Sequence, residues 1–333
     1  RPPPRRRQES QITPYIARTA STLSSLTARA AATARASLPD IKDRVASASE
    51  AVAGVGGKYL REVKGMMSSE LEQVLLKSTR PNDQPVKPKH VERLVGVTYQ
   101  IGGQYDLYDP ILRKLWSKMA EPAFTTKLKA AHVLHRFSSS GSPAHASALK
   151  ARLRELRRAR DPKRKEKFFN SKLMLSGDER DGGAAVKSYL SRYAHYVLLR
   201  AQTFSGPFAE VSVGRKGDPA AVLRPEHLAA AKMVLEAGLK CAPTASEVSD
   251  LTCQCCERVL LDLKSLTSNL ATCLNRCAKK GSKVDGAWLD FYEECEKGTR
   301  GMVKGTGRVL ARYGVRVEGR VGGVGKGVVD ALR

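Results

Sequence analysis

The chain has 333 residues, and its 58 Lys+Arg against 33 Asp+Glu give a formal charge of +25 and a pI near 10.0. Such a surplus points to a polyanionic partner, either nucleic acid or an anionic membrane surface. No stretch reaches the ~18 consecutive apolar residues of a membrane span, so any membrane contact is expected to be peripheral. Aromatic residues make up only 6%, which weighs against a base-stacking surface.

Residues 1–39 are rich in Arg, Ala, Ser and Thr with Glu9 as the single acid, the composition of a disordered arm or of an organelle transit peptide. From Asp40, Ile41, Val45, Ala48, Val52 and Val55 recur at helical spacing, which predicts an amphipathic helix and linker over 40–67. Ser69 and Glu72 have capping-box spacing ahead of a short helix with Leu71, Val74 and Leu75 on one face and Lys77 near its end. Pro88 suits the first turn of the next helix, whose buried stripe is expected to hold Val91, Leu94, Val95 and Ile101. Further stripes follow at Ile111, Leu115 and Met119, then at Ala130, Val133, Leu134 and Phe137.

The second half continues with Tyr189, Tyr193, Tyr196 and Leu199 near one face and with Leu228, Ala231, Leu235 and Leu239 on another. Residues 207–225 read as a loop. Three long helices are expected over 246–263, 265–279 and 284–313, and the glycine-rich segment 316–333 reads as a loose tail. No alternating strand pattern of useful length occurs, so the fold class is all-α, a stack of antiparallel helices.

One stretch, "LLKSTRPNDQPVKPKHVERLV" from Leu75 to Val95, sets cations where they are disfavoured. Lys87, Lys89 and His90 surround Pro88 at a helix start, facing the positive end of its dipole, and Lys77 closes the preceding helix. An anion at that position would remove the conflict. The arrangement resembles the membrane-proximal K-x9-K-x-K-H motif of ANTH domains, the clathrin-assembly proteins of the CALM type and their plant relatives, matched here by Lys77, Lys87, Lys89 and His90. "KLKAAHVLHRFSSSG", with His135, Arg136 and Gly141, and the Tyr-rich segment "SYLSRYAHYVLLRAQTF" are similar to later parts of that family, so the resemblance runs over about 69–313.

The resemblance implies an ENTH/ANTH-like right-handed superhelical solenoid over 68–315. It also implies phosphatidylinositol 4,5-bisphosphate headgroups as ligands of the four motif residues, and clathrin, adaptor proteins and vesicle SNAREs as partners. The implied address is the cytosolic face of the plasma membrane, clathrin-coated pits and vesicles. No DLL, DPF or NPF peptide stands in the sequence, so clathrin binding rests on kinship alone. A rival reading is a basic helical subunit of an organellar or ribonucleoprotein assembly, with the early Arg/Ala/Ser segment as its address.

A second basic run spans 150–167, with Arg154, Arg157, Arg158, Lys163, Arg164 and Lys165 as candidates for auxiliary contact with acidic lipids or as a solvated helix and loop. The seven cysteines, in a chain without an evident secretory signal, read as reduced thiols. Cys253/Cys256 and Cys273/Cys277 each share a helical face, but without knuckle-like turns they read as small core residues, and no metal or cofactor is expected. His132 and His135 lack the H-E-x-x-H spacing and read as buried histidines. The glycine-rich runs lack the G-x-x-x-x-G-K-[ST] pattern, and no nucleophile stands with a base, so no enzyme is expected.

Overall fold

The computed structural model describes residues 71–100, 108–177, 183–214, 217–317 and 322–332. They belong to the second of two units into which the chain divides, Gly65–Arg333. The basic arm at 1–39, the helix expected over 40–67, Ser69 and Ile101 lie outside the described residues.

Helix α1 occupies 71–78 and is followed by α2 (Pro88–Gln100), α3 (Tyr108–Met119), α4 (Phe124–Ser139), α5 (Pro143–Arg158) and the single turn α6 (Ser171–Met174). The second half contains α7 (Gly183–Thr203), α8 (Pro225–Leu239), α9 (Asp250–Lys280), α10 (Gly286–Arg312) and α11 (Lys326–Leu332). Among the described residues there is no strand, only a single antiparallel bridge between Arg160 and Lys167. The described part of the chain is therefore all-α.

Local chemistry sets the helix ends. Ser142 accepts from the His145 N–H at 3.2 Å ahead of Pro143, and Asp285 accepts from the Ala287 N–H at 2.9 Å. Ser249 and Thr252 close a reciprocal cap on α9. That helix stops at Gly281, whose φ of 64° is a conformation glycine adopts without steric penalty.

Helix α4 forms the centre and packs against α2, α3, α7 and α9. It is buried almost all round, including Lys127, Lys129, His132 and His135. Buried polar groups need partners. Lys127 donates to the carbonyls of Leu173, at 2.9 Å, and Ser176; burial, with Lys187 nearby, brings its ammonium pKa down to about 8.

His135 joins three helices. Its Nε2 donates to Asp262 of α9 at 2.8 Å, and its Nδ1 accepts from the Tyr193 hydroxyl of α7 at 2.9 Å. The same Asp262 oxygen accepts from Arg200 Nε at 2.8 Å and from the Tyr196 hydroxyl at 3.2 Å, while its other oxygen accepts from Arg258 at 3.2 Å. Burial opposes ionisation of Asp262, but Arg200 and His135 outweigh it and hold the carboxyl well below the usual range. Burial lowers the His135 pKa to about 4 despite Asp262, so the ring is neutral at pH 7.

Two expectations are corrected. No break separates 246–263 from 265–279, because α9 runs unbroken through Lys264 and Ser265 for 31 residues. Neither residue is a helix breaker, and the buried stripe of Leu263, Leu266 and Leu270 carries straight across them. The terminal segment is also not loose where it is described. Tyr292 donates to the Gly322 carbonyl at 3.2 Å and accepts from the Val324 N–H at 3.0 Å, and Asn275 donates to Gly323 at 3.2 Å. A Cβ on Gly322 would meet Ser268 Oγ at 3.1 Å, so glycine permits this close approach.

Candidate anion-binding site

The end of α1 and the start of α2 are joined by a loop fixed at three points. Ser78 and Thr79 turn their hydroxyls back onto the Leu75 carbonyl at 3.0 and 2.7 Å, ending α1 just past Lys77. Lys129, reaching out of the core, donates to the Arg80 carbonyl at 3.0 Å and to the Asn82 side chain. Gln254 of α9 accepts from the Val86 N–H at 2.9 Å and donates to the Val86 carbonyl at 2.8 Å. Val86 is buried, and the next residues, Lys87, Pro88 and Lys89, are exposed.

The α2 stripe behaves as its spacing predicts, with Val91 and Leu94 buried and Val95 half-buried. This fixes the rotation of the helix and leaves His90 half-buried at the edge of the cation cluster. Burial lowers the His90 pKa, and Lys89, Lys77, Lys87 and Arg80 each push it in the same direction. The shared influence puts the three motif lysines and Arg80 within electrostatic reach of one imidazole. Among the described residues, none of Lys77, Arg80, Lys87 and Lys89 enters an ion pair, and no acid stands in the first turn of α2. Asp83 acts on Lys129 instead. The result is an exposed basic patch on an anchored loop, suited to a compact anion with several negative charges.

Arg80, Lys129 and Gln254 were not singled out from sequence. Arg80 lies inside the motif loop and was open to notice, whereas Lys129 and Gln254 reach the loop from α4 and α9 and carry no local signal.

The second basic run divides. Arg154, Arg157 and Arg158 lie exposed on the last turns of α5, and Lys163, Arg164 and Lys165 lie on the turn that follows. Asp161, buried beneath that turn, accepts from Trp116 Nε1 at 2.8 Å, the Lys163 N–H at 3.0 Å and Arg164 at 3.1 Å. Arg164 is thus already neutralised, while Arg154, Arg157, Arg158, Lys163 and Lys165 have no ion pair among the described residues. Lys163 and Arg164 border a groove that also takes in Leu71, Glu72 and Leu75 of α1, so the turn meets the same helix whose far end carries Lys77.

All seven cysteines are buried free thiols, and burial lifts Cys256 to about 12 and Cys273 to about 11. Among the described residues no cluster of His, Cys, Asp and Glu is arranged to hold a metal ion. His132 stands 3.4 Å from the Tyr193 hydroxyl and belongs with His135 to the buried network. No protein-family model matches the chain, and no curated protein matches it.

Proposed function

We propose that this chain is a non-enzymatic phosphoinositide-binding adaptor domain that docks on a cytosolic membrane face and serves clathrin-linked vesicle formation. The observation that carries the reading is a set of cations, Lys77, Arg80, Lys87 and Lys89, that have no ion pair among the described residues and all act electrostatically on His90. An inositol phosphate headgroup has several phosphates on one small ring; ammonium groups on flexible stems surround them, and imidazole adds a donor.

Each cation near an anionic leaflet contributes ~1 kcal/mol, so the patch supplies a few kcal/mol and recruitment is reversible. The helical stack is proposed to follow the right-handed solenoid of ANTH domains, with Lys77, Lys87, Lys89 and His90 in the family's headgroup-binding positions. Clathrin, adaptors and vesicle SNAREs are partners by that likeness, at coated pits and vesicles.

Vesicle co-sedimentation tests the reading. The full chain is expected to pellet with phosphatidylcholine vesicles containing phosphatidylinositol 4,5-bisphosphate and not with phosphatidylcholine alone, and Lys87→Glu with Lys89→Glu is expected to abolish that difference. Unchanged pelleting of the double variant, or equal retention on RNA at matched salt, would overturn it.

A further inference from the structure

A groove of about 830 Å³ lies between α7 and the segment 157–175, away from the motif loop. Ser191, His195, Leu198, Leu199 and Gln202 of α7 recur at helical spacing along one wall. From Ser191 to Thr203 that wall runs about 18 Å at ~1.5 Å per residue, the length of a short peptide. The floor is apolar: half-buried Leu175 and Leu199 offer the accessible surface, backed by the buried Phe168, Phe169, Met174 and Leu198.

The rim carries Arg157, Arg160 and Lys167. Its one acid, Glu166, is engaged by the Asn170 amide at 2.9 Å. Arg157 has no counter-ion among the described residues, and although its side chain is exposed, partial desolvation of the guanidinium lowers its pKa. His195, exposed on the opposite wall, has no ion pair among the described residues.

We infer that this groove docks a short acidic peptide that carries bulky apolar side chains. Carboxylates of such a segment meet Arg157, Arg160 and Lys167, and its leucine or phenylalanine side chains cover the apolar floor. Arginine forks bind carboxylates bidentately, which favours this partner at Arg157, while Arg160, whose Nη1 donates to the Lys165 carbonyl at 3.0 Å, keeps its other nitrogens for a second carboxylate. A flat bilayer reaches the outward Lys163 and Lys165 but cannot follow a recessed floor. The inference stands apart from the headgroup site, since the two share no residue.

An immobilised array of dodecapeptides tests it with the full chain. One set mixes Asp and Glu with Leu and Phe, a second replaces the apolar residues with Ser, and a third replaces the acids with Asn and Gln. The first set is expected to bind at least tenfold better than either control. Arg157→Glu with Arg160→Glu, both exposed and outside the core, is expected to remove that binding while Lys87→Glu with Lys89→Glu leaves it intact. Equal binding of the first two sets, no binding of the first set, or binding indifferent to the arginine changes would overturn the inference. So would a loss confined to phosphatidylserine vesicles, which would make the rim a lipid contact.

Discussion

Gln254 of α9 holds Val86 by both of its backbone groups, accepting from the N–H at 2.9 Å and donating to the carbonyl at 2.8 Å across 168 residues of chain. The residue after Val86 is Lys87, so the position of the basic patch is set by a helix from the second half of the chain. Truncation to Gln254→Ala leaves both Val86 groups without that partner at a part-buried site, a loss of about 1–3 kcal/mol. Denaturant unfolding is expected to show that loss. Hydrogen exchange is expected to quicken over 80–87, and vesicle binding to weaken severalfold with every cation retained.

Acidity should tune the patch through His90. In the free protein burial and the surrounding Lys89, Lys77, Lys87 and Arg80 hold its pKa below 6.5. A bound polyphosphate offsets the cations and raises that pKa, so binding takes up a proton. Affinity therefore strengthens as pH falls from the bound pKa through the free one. Co-sedimentation across pH 7.5 to 5.5 should show this trend, and His90→Gln should flatten it.

Asp262 is the one carboxylate shared by His135, Arg200, Tyr196 and Arg258. Asp262→Ala strands the fully buried Arg200 cation and is expected to cost about 3–5 kcal/mol by chemical denaturation. Adding Arg200→Met should return a large part of it, because the stranded charge is then gone. A double variant no more stable than the single one would show that packing, rather than charge, sets the loss.

A second buried carboxylate gives a pH signature. Burial alone would raise the Glu247 pKa, but Arg192, at 2.6 Å, and the Thr244 N–H, at 2.9 Å, bring it from 4.5 down to about 2. The lowered acid pKa stabilises the fold above pH 4.5, and that contribution is lost as pH falls from 4.5 towards 2. It amounts to about 3 kcal/mol. Wild type should therefore exceed Glu247→Gln in stability at pH 6, with the gap narrowing across that window in thermal melts.

The buried stripes were legible because amphipathicity is a local property. Leu71, Val74 and Leu75, or Tyr189, Tyr193 and Tyr196, declare an inner face by spacing alone, and the structure buries every one of them. The continuity of α9 was not legible, since Ser265 is equally at home in a cap and in a helix interior whose neighbours pack. Order in the terminal glycines escaped as well, because Tyr292 and Asn275 supply the hydrogen bonds from distant helices.

The helical class, the inward faces and the proximity of Lys87, Lys89 and His90 can be read from the residues alone, since all of them depend on neighbours within a few turns. Packing, by contrast, puts Lys77 and Arg80 within electrostatic reach of His90, spends Arg164 on Asp161 but not Arg157, and encloses a groove between α7 and 157–175. Charge neutralisation and concavity arise from groups far apart along the chain, and their distances are fixed by packing around α4 rather than by any local pattern.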